Sequence, residues 1–111
     1  MRKPEKYIQG LVKIAVKKEG AKSVTDLAAK LGIKQPSMSR YARGVAVPTG
    51  SNAVALAKAV GINPDAFLIW SAAKMMQPRL PDEAQYVFSF IKKNWKKGDL
   101  VPPRSGLDPW A

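Results

Sequence analysis

Ser23-Val24-Thr25-Asp26-Leu27-Ala28-Ala29-Lys30-Leu31-Gly32-Ile33-Lys34-Gln35-Pro36-Ser37-Met38-Ser39-Arg40-Tyr41-Ala42-Arg43-Gly44 reads as two short helices joined by a glycine turn. Ser23 fits an N-cap, and Asp26 follows three residues on, beside the free N–H groups of a first turn. The first of the pair spans about Val24–Lys30 and ends at Gly32, which can take the left-handed conformation of a tight turn. The second spans about Gln35–Arg43, with Pro36 in its first turn, where a missing N–H costs nothing, and Gly44 after it. Ala28 is small where the two helices approach. Leu27, Leu31, Ile33, Met38 and Tyr41 fall at spacings that pack the pair on a third helix, with Ile33 as a buried plug. Gln35, Ser37, Ser39, Arg40 and Arg43 are left mainly outward. Such a face fits a DNA major groove, where Gln pairs with adenine edges and Arg with guanine edges.

The flanking sequence is also helical in period. A helix over about Lys6–Lys18 carries Ile8, Leu11, Val12 and Ala15 on one face and stops at Glu19-Gly20. After a loop at Val45–Gly50, a fourth helix spans about Ser51–Val60 and stops at Gly61. Asn63-Pro64-Asp65 supplies a cap, a first helical proline and a first-turn acid for a fifth helix, about Pro64–Met76. Pro81-Asp82-Glu83 opens a sixth, extending to about Lys97, whose stripe is Ala84, Val87, Phe88, Ile91 and Trp95. From Gly98 to the end, proline and glycine predict an irregular or mobile tail, with an exposed aromatic at Trp110. No run of alternating β-branched residues interrupts this pattern, so the expected class is all-α. The expected organisation is a domain over residues 1–77, an added helix over 78–97 and a tail over 98–111.

The charge is uneven. Lys and Arg number 19 against 8 acids, for a net +11 in 111 residues. Residues 1–50 hold 11 basic and 3 acidic groups, and residues 51–111 hold 8 and 5. A basic half suits a polyanionic partner, because neutralising phosphates releases condensed counterions. A solvated basic surface is the plain alternative reading, and Lys17-Lys18 in particular fits either. With no Cys and no His, there is no disulfide, thiolate or imidazole chemistry. The acids are scattered and no Gly-rich phosphate loop follows a strand, so neither an enzyme nor a metal or other cofactor is expected. No apolar run is long enough to span a bilayer, and the N-terminus lacks the pattern of a signal peptide, which leads to a cytoplasmic expectation.

Leu27-Ala28, Leu31-Gly32-Ile33, Lys34-Gln35, Ser39-Arg40 and Arg43-Gly44 together resemble the Cro/lambda-repressor-like (XRE-type) helix-turn-helix family. A second block extends the likeness: Pro48, then Leu56-Ala57-Lys58-Ala59-Val60-Gly61-Ile62, is similar to that family's fourth helix. The resemblance covers about residues 7–75 and implies a five-helix DNA-binding domain. It implies that Gln35, Pro36, Ser39 and Arg40 face bases. It likewise implies that Lys34, Ser37, Arg43, Ser51 and Asn52 lie near phosphates, the last two at a helix start whose free N–H groups favour an anion. Two departures stand out. Where the family has Thr and a phosphate-clamping Gln at the start of the second helix, this chain has Ser23-Val24, so that contact is either absent or replaced by Lys22, and the family's Glu before the final Arg-Gly is Ala42. An ion pair from that position to the first helix is therefore not expected.

The resemblance implies sequence-specific binding to duplex DNA, as a phage or prokaryotic repressor that occupies a palindromic or pseudo-palindromic operator. Relatives of this type commonly bind as dimers, with half-sites one helical turn apart. The sixth helix then has two readings: its stripe packs back onto the domain, or Val87, Phe88, Ile91 and Trp95 build a homodimer seam, which is the favoured expectation. Lys92-Lys93 and Lys96-Lys97 at its end serve solvent, the helix dipole or flanking phosphates. The alternative function is an antitoxin or adaptor module, with the sixth helix or the Trp110 tail binding a protein. A general nucleic-acid binder that reads charge alone is the third.

Overall fold

A computed structural model describes residues 3–110. Met1 and Arg2 of the expected leaderless N-terminus, and Ala111 of the expected tail, lie outside the described residues. Six helices follow in order: α1 (Lys6–Lys18), α2 (Val24–Leu31), α3 (Gln35–Arg43), α4 (Gly50–Val60), α5 (Pro64–Met76) and α6 (Pro81–Asn94), then a 3-10 turn at Lys97–Asp99. There is no strand among the described residues.

Local chemistry sets most of these boundaries. Ser23 Oγ accepts from the Asp26 N–H at 3.1 Å, which satisfies one orphan donor at the start of α2, and Asp26 Oδ2 accepts from the Lys22 N–H at 2.8 Å, which fixes the chain leading into it. Asn63 Oδ1 does the same for Ala66 N–H at 3.0 Å at the start of α5. Lys18 is not merely solvated: its Nζ donates to the Val60 carbonyl at 2.7 Å and closes the C-terminus of α4.

The core runs through all six helices. Ile8, Leu11, Val12 and Ala15 of α1 are buried as their spacing predicts, and Tyr7 joins them. Leu27, Ala28, Ile33, Met38 and Tyr41 are buried beside them, while Leu31 is only half-buried at the edge. An aromatic cluster anchors the far side. Tyr7 meets Trp70 edge-on at 4.7 Å, and Phe67 stacks on Trp70 at 5.8 Å. Ser71 of α5 is buried with its hydroxyl unpaired. Ser71→Ala is therefore expected to be neutral or to stabilise by about 1 kcal/mol, since it removes a desolvated group without a partner. Thermal unfolding followed by circular dichroism checks this; a midpoint more than about 3 °C lower would mean that the hydroxyl is bonded.

Two expectations need correction at the C-terminal end. The helix expected to reach Lys97 stops at Asn94. Asn94 Nδ2 donates back to the Phe90 carbonyl at 2.8 Å, and Trp95 turns extended. Asp99 Oδ2 then accepts from the Lys96 N–H at 2.8 Å and opens the 3-10 turn, so the four lysines do not share one helix end. The tail is irregular but packed. Leu100 and Val101 are buried, the Tyr7 hydroxyl donates to the Leu100 carbonyl, and Trp70 Nε1–H donates to the Pro109 carbonyl at 2.9 Å. Burial pushes the Tyr7 hydroxyl far above its ordinary pKa, so it stays a donor. Leu107 lies over Gly10, where a β-carbon would overlap the leucine methyl. Trp110 has a place too. Its ring stands edge-on to Phe88 at 5.7 Å, and Lys92 Nζ sits 4.7 Å from the ring centre.

The same packing corrects the expected dimer seam. Phe88 and Ile91 are buried within the chain, and Val87 and Trp95 are half-buried against its core. The stripe packs back onto its own chain, chiefly against α5.

Candidate nucleic-acid interface

α3 is presented by a rigid frame. Gly32 is left-handed at φ 68°, and the Ile33 N–H returns to the Ala28 carbonyl at 3.0 Å, which closes the turn between α2 and α3. Met38 and Tyr41 root α3 in the core. Tyr41 Oη accepts from Asn52 Nδ2 at 3.0 Å, which ties α3 to the first turn of α4. Gln35 Nε2 reaches Thr25 Oγ1 at 3.4 Å, which ties its start to α2. At its other end, Gln9 Nε2 donates to the Arg43 carbonyl at 3.0 Å and the Glu5 N–H donates to the Gly44 carbonyl at 2.8 Å. These two bonds join α1 to the end of α3, where the family pattern would have used an ion pair; Ala42 is half-buried there.

The outward face follows from helical period. Residues 36, 40 and 43 lie along one line of α3, opposite Met38 and Tyr41. Pro36, Arg40 and Arg43 are exposed on that line, and Gln35 is exposed beside it. Ser37 and Ser39 are half-buried at its flanks. Arg43, expected near phosphates, lies one turn beyond Arg40 on the same line, at the C-terminal end of α3. Lys34 is exposed at the N-cap of α3.

The N-termini of α3 and α4 differ from those of α2 and α5. Neither has a side-chain cap, and neither has an acid in its first turn. Gly50, Ser51 and Asn52 occupy the first turn of α4, with their N–H groups free for an outside acceptor. Ser51 is exposed. The Asn52 amide is engaged with Tyr41, so what it can offer a phosphate is mainly its backbone N–H.

Charge reinforces this arrangement. From Leu27 through Pro64 the chain contains no Asp or Glu, yet it holds Lys30, Lys34, Arg40, Arg43 and Lys58. The span from the body of α2 through α4 therefore presents cations without compensating carboxylates. The one ion pair among the described residues, Lys74 to Glu5 at 2.9 Å, lies outside that span. Residue-by-residue motif reading passes over this carboxylate-free stretch, and it passes over Thr25 as the partner of Gln35. That stretch is rich in donors and contributes no carboxylate of its own to repel a phosphate backbone. No group of three or more His, Cys, Asp or Glu that could hold a metal occurs among the described residues, and no helix there is long and apolar enough to cross a membrane.

Residues 13–67 match the helix-turn-helix family model. The match runs from the second half of α1 into the start of α5, within the broader 7–75 expected, and leaves α6 and the tail outside. No curated protein and no solved structure matches the chain.

Proposed function

The chain belongs to the XRE-type, lambda-repressor-like helix-turn-helix family of DNA-binding regulators, and from that premise we propose that it is a sequence-specific repressor of phage or prokaryotic origin. It acts by occupying its operator. α3 enters the major groove, Arg40 reads a guanine edge and Gln35 an adenine edge. Pro36 and Ser39 line the same groove. Lys34, Ser37, Arg43, Ser51 and Asn52 hold the flanking phosphates, the last two through the start of α4. The protein works as a homodimer on a pseudo-palindromic site. The observation that carries this reading is the line of Pro36, Arg40 and Arg43 on a pinned helix within a carboxylate-free stretch.

Two variants separate reading from holding. Arg40→Ala is expected to cost about 1–3 kcal/mol on the operator and to relax specificity at one base pair. Lys34→Ala is expected to weaken operator and scrambled duplex alike and to lower the salt slope by about one unit. Fluorescence anisotropy with both duplexes measures each effect. Unchanged operator affinity in Arg40→Ala would remove that residue from the base-reading set.

A further inference from the structure

The face of α6 turned away from the core carries Tyr86, 75% exposed, and Phe90, 43% exposed, one helical turn apart. Exposed Glu83 lies one turn before this pair and exposed Lys93 one turn after it. Trp95 extends the ridge, edge-on to Phe90 at 6.0 Å. Lone exposed apolar residues need no explanation, but two large aromatics side by side on one helix face do. The spacing 83, 86, 90, 93 is the three-four-three spacing of a helix–helix seam.

We infer that this face is where two copies of the chain meet, α6 against α6, antiparallel about a two-fold axis beside Phe88. The inference rests on the homodimer reading above and names its surface. Position supports it. Tyr86 and Phe90 lie two residues either side of Phe88, and Glu83 and Lys93 lie five either side. In an antiparallel pair centred there, each residue meets the one equidistant beyond the axis. Tyr86 of one copy then packs on Phe90 of the other, and Glu83 faces Lys93, each contact made twice. Charge supports the direction. On this face α6 carries Glu83 in its first turn and Lys93 in its last. Antiparallel copies bring opposite charges together at both ends, whereas parallel copies would bring like charges together. The axis also falls near the middle of Pro81–Asn94, so the two helices overlap along their length.

A seam of one helix per copy, roughly 21 Å long at 1.5 Å per residue, is smaller than a standard interface. The dimer is accordingly expected to be a weak, reversible one.

Sedimentation velocity of the full chain, from about 1 µM to about 1 mM, tests this. A reversible monomer–dimer equilibrium is expected. Phe90→Lys, at an exposed site and with its fold checked by circular dichroism, is expected to weaken it by about tenfold or more. Glu83→Lys and Lys93→Glu each set like charges opposite one another and are expected to weaken it several-fold. The double variant Glu83→Lys/Lys93→Glu is expected to restore it to within about threefold of the parent. A double variant as weak as either single one would refute the antiparallel register. A Phe90→Lys protein that still dimerises would place the interface elsewhere and leave the homodimer reading standing. A parent chain that is monomeric throughout, and that binds operator as one copy, would overturn both.

Discussion

Deleting residues 98–111 is expected to bring the protein close to unfolding. A segment this rich in proline and glycine would ordinarily be removed at no cost. Here it buries Leu100 and Val101 and covers Ile91. Each buried aliphatic side chain is worth about 1.5–3 kcal/mol. The segment also supplies the acceptors for two buried donors, Tyr7 Oη–H and Trp70 Nε1–H. Deletion exposes the aromatic cluster those donors belong to. The combined loss is on the order of 4–8 kcal/mol, against a total stability of about 5–15 kcal/mol for a domain. Thermal unfolding by circular dichroism is expected to fall by more than about 20 °C. A midpoint within about 3 °C of the full chain would mean that the segment merely lies on the surface.

Gly44→Ala is expected to be more damaging than alanine at any of the other left-handed glycines of the DNA-binding region. Gly44 is left-handed at φ 72°, which costs a residue with a side chain about 1–2 kcal/mol. A β-carbon there would also stand 2.9 Å from both the backbone nitrogen and the backbone oxygen of Glu5. Those are main-chain atoms, and the nitrogen is bonded to the Gly44 carbonyl, so relief means pulling α1 away from the end of α3. The expected loss is about 3–5 kcal/mol. Gly32→Ala is the control. Gly32 is also left-handed, at φ 68°, but has nothing within 4 Å of its β position, so it bears the conformational cost alone, about 1–2 kcal/mol. Denaturant unfolding of the two variants measures the difference, which is the worth of the α1–α3 contact. Equal losses at the two positions would show that the contact carries nothing.

What could be read ahead of the fold depends on how local its cause is. Ser23 with Asp26, Asn63 with Pro64, and Gly32, Gly44 and Gly61 act within a turn of themselves, and each marks a helix boundary correctly to within a residue. The outward setting of Arg40 follows from the period that buries Met38 and Tyr41. The packed tail has no such local cause. It is held by side-chain bonds to the carbonyls of Leu100 and Pro109, and every residue has a carbonyl. Its one trace is Gly10, an otherwise unfavourable residue inside α1 that makes room for Leu107. The stripe of α6 was visible as a stripe, but whether it meets its own chain or another copy depends on where that tail lies. The tie between Tyr41 and Asn52 was hidden for a similar reason: both residues suggest other uses when read alone.

α3 is expected to read sequence and not merely to sit on charge. The direct measurement is anisotropy binding at several salt concentrations. It uses duplex fragments tiling the DNA upstream of the protein's own coding sequence, with a scrambled duplex for comparison. One fragment is predicted to bind on the order of a thousandfold tighter than the scramble near physiological salt. Equal binding of all fragments, lost together as salt rises, would contradict the claim and leave only the backbone charge being read.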